Sequence, residues 1–276
     1  MKVIEAEHMG FCMGVRKAMQ IVNSIIENEK DCKIYTFGPL IHNRLVLEEL
    51  SHKGVMSIDD PDDASGGIAI IRAHGVHPEV RKKLEEKTAR VVDATCPRVL
   101  ESQKKAGNAS AKGYTVVIAG DRNHGEVQGI AGHAQRSAII SSTEEASALE
   151  VQMPALLLSQ TTFSREEYGS ICSILKKRYP EIEILKSICP ATEKRQKALE
   201  NLAGRVEAVV VVGGKNSANT VGLYKTALML VKNAWHIENS DEIPDEIRKF
   251  SVVGITAGAS TPDWIIKEVA DKLKSY

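Results

Sequence analysis

The sequence lacks several features that mark specialised classes of protein. Lysine plus arginine and aspartate plus glutamate both number 36, so the formal net charge is zero, and no long basic run points to nucleic-acid binding. No apolar stretch approaches the roughly 18 residues that span a bilayer. The first residues, MKVIEAEHMGFCMG, contain no apolar core of a signal peptide. We therefore expect a cytoplasmic protein that binds neither nucleic acid nor membrane.

Two short motifs are also missing. No Cys-x-x-Cys pair occurs, which disfavours a zinc knuckle or a thioredoxin-like redox site. No Gly-x-Gly-x-x-Gly run occurs, so the chain shows no fingerprint for a flavin or nicotinamide cofactor. The five cysteines are expected to be free thiols or metal ligands, because disulfides are rare in a reducing cytoplasm.

Three of the five cysteines share one local context. Cys12 in GFCMG, Cys96 in DATCPRV and Cys189 in SICPATE each follow a short strand-like run and precede a polar helix-like run. Proline directly after Cys96 and Cys189 suits the first position of a helix. Cys32 and Cys172 lack this context. One such cysteine would as often be core packing as a ligand, but three in equivalent places favour a shared ligand role.

A set of three such thiols is compatible with an iron–sulfur site. The positive end of a helix dipole favours the thiolate form of a cysteine that precedes the helix. Three thiolates suit a cluster of four irons, in which one iron is left without a protein sulfur. That iron is a Lewis-acid site for a substrate oxygen.

Six apolar runs, each followed by a loop of small and polar residues, predict the fold. Strands that alternate with helices are typical of parallel α/β units, and two such units follow each of the three cysteines. We expect an α/β protein of three similar domains, over residues 1–96 with the N-terminal strand, 97–187 and 188–276. In a pseudo-threefold trefoil the loops would line a central cavity, because ligands bind beyond the carboxyl ends of parallel strands. The runs are KIYTFGPLIHN, GIAIIRAHGVHP, YTVVIAGDRNHGE, ALLLSQTTFS, AVVVVGGKNSANT and SVVGITAGASTP.

The loops after these runs contain groups that can bind an anion or move a proton. Imidazoles, hydroxyls and amides next to helix N-termini form a phosphate cradle, although turn chemistry or N-capping explains each residue taken alone. Glu126 shares a loop with a histidine, and an enclosed carboxylic acid can carry protons at neutral pH. A first-turn glutamate that serves the helix dipole is the plainer alternative. The other candidates are His42, His74, His124, Thr161, Ser217, Asn219 and Ser260.

Seven motifs in order carry a resemblance to a known family. They resemble the 4-hydroxy-3-methylbut-2-enyl diphosphate reductases of the non-mevalonate isoprenoid pathway, and the match runs from Cys12 to Pro262. The resemblance implies a trefoil with a central [4Fe-4S] cluster on the three repeated cysteines. It also implies that the substrate hydroxyl meets the fourth iron and that the products are isopentenyl diphosphate, dimethylallyl diphosphate and water. The motifs are GFCMGV, DATCP, HGEV, SQTT, SICPATEKRQKA, GGKNSANT and GASTP.

The resemblance also implies roles for the loop residues. Glu126 matches the family's proton-relay carboxylate, and Thr161 matches the threonine that helps to hold the substrate hydroxyl. His124 matches a histidine near the substrate and the proton path. The positions that match diphosphate-binding residues are His42, His74, Ser217, Asn219 and Ser260. Since no flavin or nicotinamide fingerprint is present, the implied electron donor is a ferredoxin or a flavodoxin.

The sequence departs from the family pattern at two positions. Gly125 stands where the family usually has proline between the histidine and the glutamate. Ala218 stands where the family usually has a second serine, so a side-chain contact to phosphate is lost there, although the backbone N–H remains.

The same residues are compatible with two other classes of function. A zinc hydrolase could use the same cysteines and histidines, but the long spacing of the cysteines disfavours it. A non-catalytic binding protein could keep the fold without the reaction, but the intact set of Cys12, Cys96, Cys189 and Glu126 disfavours that class.

Overall fold

The computed structural model describes residues 1–276 and contains twelve strands and ten α-helices. The strands are β1 Lys2–Glu5, β2 Ile34–Phe37, β3 Val55–Ile58, β4 Ile68–Ile71, β5 Arg90–Asp93, β6 Thr115–Ala119, β7 Ser137–Ile140, β8 Ala155–Ser159, β9 Glu183–Ile184, β10 Ala208–Val212, β11 Ala234–Ile237 and β12 Val252–Ala257. The helices are α1 Met13–Asn28, α2 Arg44–His52, α3 Pro78–Lys87, α4 Pro97–Ala111, α5 Gly125–Ala131, α6 Thr143–Ala148, α7 Arg165–Arg178, α8 Pro190–Ala203, α9 Ala218–Leu230 and α10 Asp263–Lys274. Short 3₁₀ turns lie at Pro61–Asp63, Ser240–Glu242 and Asp245–Lys249.

The strands form three parallel sheets of four strands each. Their orders are β3-β2-β4-β5, β7-β6-β8-β9 and β11-β10-β12-β1. If the strands of each sheet are numbered as they follow one another, all three orders read second-first-third-fourth, with β1 as the fourth strand of the last sheet. The structure therefore confirms an α/β fold built from three similar sheets.

The N-terminal strand is placed differently from our expectation. We expected β1 in the first domain, but it pairs in parallel with β12 over Lys2 to Glu5. The reason is the repeat itself, because the last sheet would lack its fourth strand without β1. Each sheet's fourth strand, β5, β9 or β1, therefore leads into one of the three repeated cysteines.

The six apolar runs are the two central strands of each sheet. Strands β4, β6, β8 and β10 are buried at every position, as expected for parallel strands covered on both faces. On β10, Val210 and Val212 pack with the α10 side, whereas Val209 and Val211 pack with α8 and α9. Each fully buried valine of this kind contributes roughly 1.5–3 kcal/mol of transfer free energy. The central strands thus hold the loops at their carboxyl ends in fixed positions.

Contacts along the chain divide it into two compact units. One comprises Met1–Val15, Ile41–Glu48 and Pro190–Tyr276, and it contains the last sheet. The other comprises Arg16–Leu40 and Glu49–Cys189, and it contains the first two sheets. None of the ten helices combines the length and the apolar character that crossing a membrane requires.

Candidate active site

The three repeated cysteines occupy equivalent places at the start of a helix. Cys96 is the N-cap of α4, and α1 and α8 begin at the residues that follow Cys12 and Cys189. All three are half-buried, and none forms a disulfide. The order strand, cysteine, helix that the sequence predicts is therefore present three times.

The main chain anchors each of these cysteines in the same way. In every case the cysteine N–H donates to the carbonyl oxygen of the second residue after the third strand of its sheet. The pairs are Cys12 with Ala259 at 3.1 Å, Cys96 with Ala73 at 3.0 Å, and Cys189 with Thr161 at 2.9 Å. The repeat, which is weak in sequence, is thus retained in the hydrogen bonds that position the thiols.

The other two cysteines lie in unrelated environments. Cys32 is exposed before β2, and Cys172 lies within α7 against the core of the second sheet. Burial raises the pKa of the Cys172 thiol, which disfavours the thiolate that metal binding requires. Neither residue shares the anchoring of the repeated cysteines.

Glu126 is buried and hydrogen-bonded to Thr161. It lies in the first turn of α5, and its residue is only 2% exposed. Glu126 Oε1 accepts the Thr161 backbone N–H at 2.6 Å, and Oε2 accepts the Thr161 hydroxyl at 2.9 Å. Because the Thr161 carbonyl also accepts the Cys189 N–H, one residue joins this carboxyl group to a repeated cysteine.

The pKa of Glu126 suits proton transfer. Burial raises the pKa of its carboxyl group from 4.5 to about 7, although the two hydrogen bonds from Thr161 act in the opposite direction. Desolvation dominates because it disfavours the charged form of a fully enclosed carboxylate. At neutral pH this group exchanges between its acid and base forms, as a general acid–base group must.

His124 lies at the N-terminus of α5, the helix that carries Glu126, and His74 lies next to it. His124 Nδ1 accepts the Glu126 N–H at 3.2 Å and so caps α5. Because Nδ1 is an acceptor, a neutral His124 carries its proton on Nε2, which can then donate to a ligand. The His74 and His124 rings meet edge-on, with centroids 5.0 Å apart.

A second group of candidates lies in the loops of the last sheet. Ser260 Oγ is 3.0 Å from the carbonyl oxygen of His42 and 3.3 Å from Ser217 Oγ. Ser217 also caps α9 by accepting the Thr220 N–H at 3.4 Å. Two serines and the loop of His42 are therefore brought together, as the sequence predicts for an anion cradle.

Asn219 is oriented by the residue that anchors Cys12. Its Oδ1 accepts the Ala259 N–H at 2.9 Å, while the Ala259 carbonyl accepts the Cys12 N–H. With Oδ1 occupied by a backbone donor, the Nδ2 group offers its two protons to a ligand. Ala259 thus connects a candidate diphosphate-binding residue with a candidate cluster ligand.

Arg72, which was not among the candidates, occupies the space that a side chain at position 125 would need. A Cβ at Gly125 would lie 2.8 Å from Arg72 Cζ, and one at Gly38 would lie 3.1 Å from the same atom. The guanidinium group therefore lies against two glycine backbones, and a side chain at 125 would require it to move. In the sequence Arg72 stands two residues before His74 and directly after an apolar strand, and nothing in that pattern shows that it is enclosed.

Other histidines have local roles. His77 Nδ1 accepts the Glu79 N–H and caps α3. A ring nitrogen of His133 lies 2.8 Å from the Gly129 carbonyl. Both contacts are made within or at the end of the residue's own helix, so these two side chains serve local structure.

Comparison with known proteins gives a consistent relationship. The family model described as LytB protein matches residues 3–274. A protein of Treponema denticola named 4-hydroxy-3-methylbut-2-enyl diphosphate reductase is 45% identical, over 99% of both chains. A protein of the same name from Caldanaerobacter subterraneus subsp. tengcongensis is 41% identical, over 100% of this chain and 97% of its own.

Solved structures agree with this relationship. The E-1-hydroxy-2-methyl-but-2-enyl-4-diphosphate reductase of Plasmodium falciparum superposes with a TM-score of 0.91 at 27% identity, over 98% of this chain and 87% of its own. A structure described as (E)-4-hydroxy-3-methyl-but-2-enyl diphosphate reductase, the terminal enzyme of the non-mevalonate pathway, gives a TM-score of 0.72 at 35% identity, over 100% and 99% of the two chains. The chain belongs to the LytB protein family.

Proposed function

We propose that this chain is an oxidoreductase that converts 4-hydroxy-3-methylbut-2-enyl diphosphate to isopentenyl diphosphate and dimethylallyl diphosphate, the last step of the non-mevalonate isoprenoid pathway. The reaction removes an allylic hydroxyl as water and consumes two electrons and two protons. Family membership and the names of its relatives support this substrate. The observation that carries the chemistry is the buried Glu126, which is bonded to Thr161 and has a pKa of about 7.

The cysteine donor set fits a [4Fe-4S] cluster. Cys12, Cys96 and Cys189 form no disulfide, and each is anchored by its backbone N–H at a helix N-terminus. Three protein sulfurs leave one iron of such a cluster without a protein ligand. When bound, the cluster would supply the two electrons one at a time and a Lewis-acid iron.

The diphosphate would be bound by the donors at the carboxyl ends of the strands. Asn219 offers its Nδ2 protons, because its Oδ1 is held by Ala259. Ser217 Oγ accepts the backbone N–H of Thr220 and can still donate its own proton. We assign diphosphate binding to His42, His74 and Ser260 as well, where the Ser260 hydroxyl would turn from the His42 carbonyl to the ligand, and we place His124 near the reacting end of the substrate. Neutral and cationic donors of this kind suit a diphosphate.

Thr161 and Glu126 would carry the proton. When Glu126 is protonated on Oε2, it donates to Thr161 Oγ, and the threonine hydroxyl proton is then directed at the substrate hydroxyl. When Glu126 is ionised, the Thr161 hydroxyl turns back to donate to Oε2, as the 2.9 Å contact records. The pair can therefore pass one proton to the departing oxygen without admitting water.

The setting of the enzyme follows from this reaction. We propose that a ferredoxin or a flavodoxin delivers the electrons, and that the enzyme works in the cytoplasm, where free thiols persist.

We also keep three domains as our interpretation, with boundaries near residues 96 and 187. The shared strand order of the three sheets supports this division, and β1 is then assigned to the last domain.

The function is tested by steady-state assay with the named substrate. Anaerobically purified protein, supplied with an artificial reductant, is expected to form both five-carbon diphosphates. If the protein contains zinc in place of iron and hydrolyses the diphosphate, the alternative of a zinc hydrolase would be supported instead. Tight substrate binding without turnover by cluster-loaded protein would support the binding protein.

A further inference from the structure

Arg195 is a buried arginine that bonds to the loop leading into Cys12. It lies on α8, and its residue is 5% exposed. Arg195 Nη2 donates to the carbonyl oxygen of Gly10, and Nη1 donates to the carbonyl oxygen of Ala191 at 2.9 Å. Burying a guanidinium group is unfavourable unless its donors are satisfied. The Gly10 carbonyl supplies a partner for one of these buried donors, so the contact offsets part of that cost.

Gly10 fixes the path of this loop. Its φ is +76°, a conformation that residues with a Cβ rarely adopt. A Cβ at this position would also lie 3.1 Å from both Asp263 Oδ1 and Ile266 Cδ1. The carbonyl that Arg195 binds thus belongs to a peptide whose conformation and surroundings are both restricted.

Cys12 is held from the other end of the same short segment. Its N–H donates to the Ala259 carbonyl at 3.1 Å, and its Sγ lies 3.5 Å from the Val15 N–H at the start of α1. Residues 10–12 are therefore held at Gly10 by Arg195 and at Cys12 by Ala259. Without the Arg195 contact, the segment would no longer be held at Gly10.

We propose that Arg195 is a positioning residue that holds Cys12 in its cluster-binding conformation and slows the loss of the cluster. The inference rests on the proposed function in one respect, which is that Cys12 is a cluster ligand. Groups that orient metal ligands without touching the metal typically contribute about 10- to 100-fold in metal affinity. We expect an effect of this size on the rate of cluster release.

The first test measures how fast iron passes from anaerobically purified holoprotein to a coloured chelator. Arg195→Met keeps a long side chain but removes the donors, and we expect release about 10- to 100-fold faster than in wild type. Arg195→Lys keeps a point charge without the planar fork and should fall between the two. Lys194→Met, at an exposed neighbour, controls for lost charge, and Leu199→Ala, on the buried side of α8, controls for lost packing.

Both controls should release iron within about twofold of the wild-type rate, even though Leu199→Ala lowers the melting temperature. Wild-type release by folded Arg195→Met would overturn the proposal. So would equal acceleration by Leu199→Ala, because the effect would then be general destabilisation. If Arg195→Met does not fold, the same comparison is made with Arg195→Lys, and a wild-type rate for that variant would overturn the proposal.

The second test does not depend on the cluster. Amide hydrogen exchange of residues 10–15 is compared in wild type and Arg195→Lys, each purified in the same way and measured whatever its cluster content. We expect faster exchange at the Cys12 amide in the variant. A wild-type protein without iron–sulfur content would refute the proposed function, yet this exchange would still report on the loop. Unchanged exchange and unchanged iron release in active, cluster-loaded protein would refute the role of Arg195 alone.

Discussion

At the scale of single residues, the enclosure of Glu126 decides its chemistry. Only 2% of the residue is exposed, and both carboxyl oxygens are bonded to Thr161. A glutamate that served only the dipole of α5 would gain nothing from this burial, because desolvation works against its charge. Its position is unfavourable for an anion and favourable for a group that exchanges a proton.

Glu126→Gln should therefore impair turnover more than binding. The substitution keeps the size and hydrogen bonding of the side chain but removes the titrating group. General acid–base groups typically contribute about 10²- to 10⁴-fold in rate, so we expect kcat to fall by that factor while cluster content and KM are largely kept. Steady-state kinetics and iron analysis of the same sample measure both quantities.

Glu145→Gln is the matched control, because Glu145 also lies in the first turn of a helix, α6, but is only half-buried. Its turnover should equal that of wild type. Turnover of Glu126→Gln within about twofold of wild type would show that Glu126 is structural, since such a change is under 1 kcal/mol of barrier.

The same carboxyl group should make stability depend on pH. Its pKa in the folded protein, about 7, is above its ordinary value of 4.5, so the native state binds this proton more tightly than the unfolded state. The stabilisation is complete below about pH 4.5 and is lost as pH rises to about 7, by roughly 3 kcal/mol in total. Urea unfolding of cluster-free wild type and Glu126→Gln across pH 5–8 measures the difference, and parallel curves for the two proteins would contradict this prediction.

The five cysteines should separate into two classes. Cys12→Ser, Cys96→Ser and Cys189→Ser should each abolish reductase activity and sharply lower iron content, because each thiol is anchored at the same place in the repeat. Cys32→Ser and Cys172→Ser should keep both properties. Iron analysis of the five variants checks this, and loss of the cluster in Cys32→Ser would overturn the ligand assignment.

Candidate residues with reactive side chains were easier to single out from the sequence than the residues that pack against them. A cysteine before a helix or a histidine after a strand is visible in the sequence because its type and position are both unusual. Arg195 and Arg72 were missed, since an arginine in a polar helix or beside a strand gives no sign that it is enclosed. Only the fold shows that their guanidinium groups lie against glycine backbones.

At the scale of elements, the recurring unit is a fourth strand, a cysteine and a helix. The same hydrogen bond, from the cysteine N–H to the loop after the third strand, occurs in all three copies and gives them the same geometry. The apolar central strands were predictable, because a fully buried parallel strand is a continuous apolar run. The edge strands β3, β7 and β11 were not, because partly exposed strands of four residues have no such pattern.

Ser217 should affect both helix stability and binding of substrate. Ser217→Ala removes the N-cap of α9, at about 0.5–2 kcal/mol, and also removes a hydroxyl donor, worth about 1.5–3 kcal/mol when its partner is charged. We therefore expect a lower melting temperature together with a KM raised roughly 10-fold or more.

Ser164→Ala separates these two effects. Ser164 caps α7 by accepting the Glu167 N–H at 3.3 Å and is not a candidate for substrate binding. Its variant should lose similar stability with an unchanged KM. An equal rise of KM in both variants, or none in Ser217→Ala, would remove Ser217 from the diphosphate site.

At the scale of the whole molecule, the chain is a threefold repeat whose last copy is completed by its first strand. Because β1 is the fourth strand of the last sheet, Cys12 corresponds to Cys96 and Cys189 despite its place near the N-terminus. Sequence periodicity suggested three units, but it assigned β1 to the segment that follows it along the chain. Pairing between distant strands depends on which sheet lacks an edge, and local sequence does not contain that information.

The proposed reduction of an allylic diphosphate depends on a cluster held by three equivalent cysteines. The most direct measurement is iron, acid-labile sulfide and product formation on one anaerobic sample of the wild-type protein. We predict about four irons and four sulfides per chain, with 4-hydroxy-3-methylbut-2-enyl diphosphate converted to isopentenyl and dimethylallyl diphosphate when a reductant is added. Protein that contains zinc instead of iron and sulfide, or cluster-loaded protein that leaves this substrate unchanged, would contradict the claim.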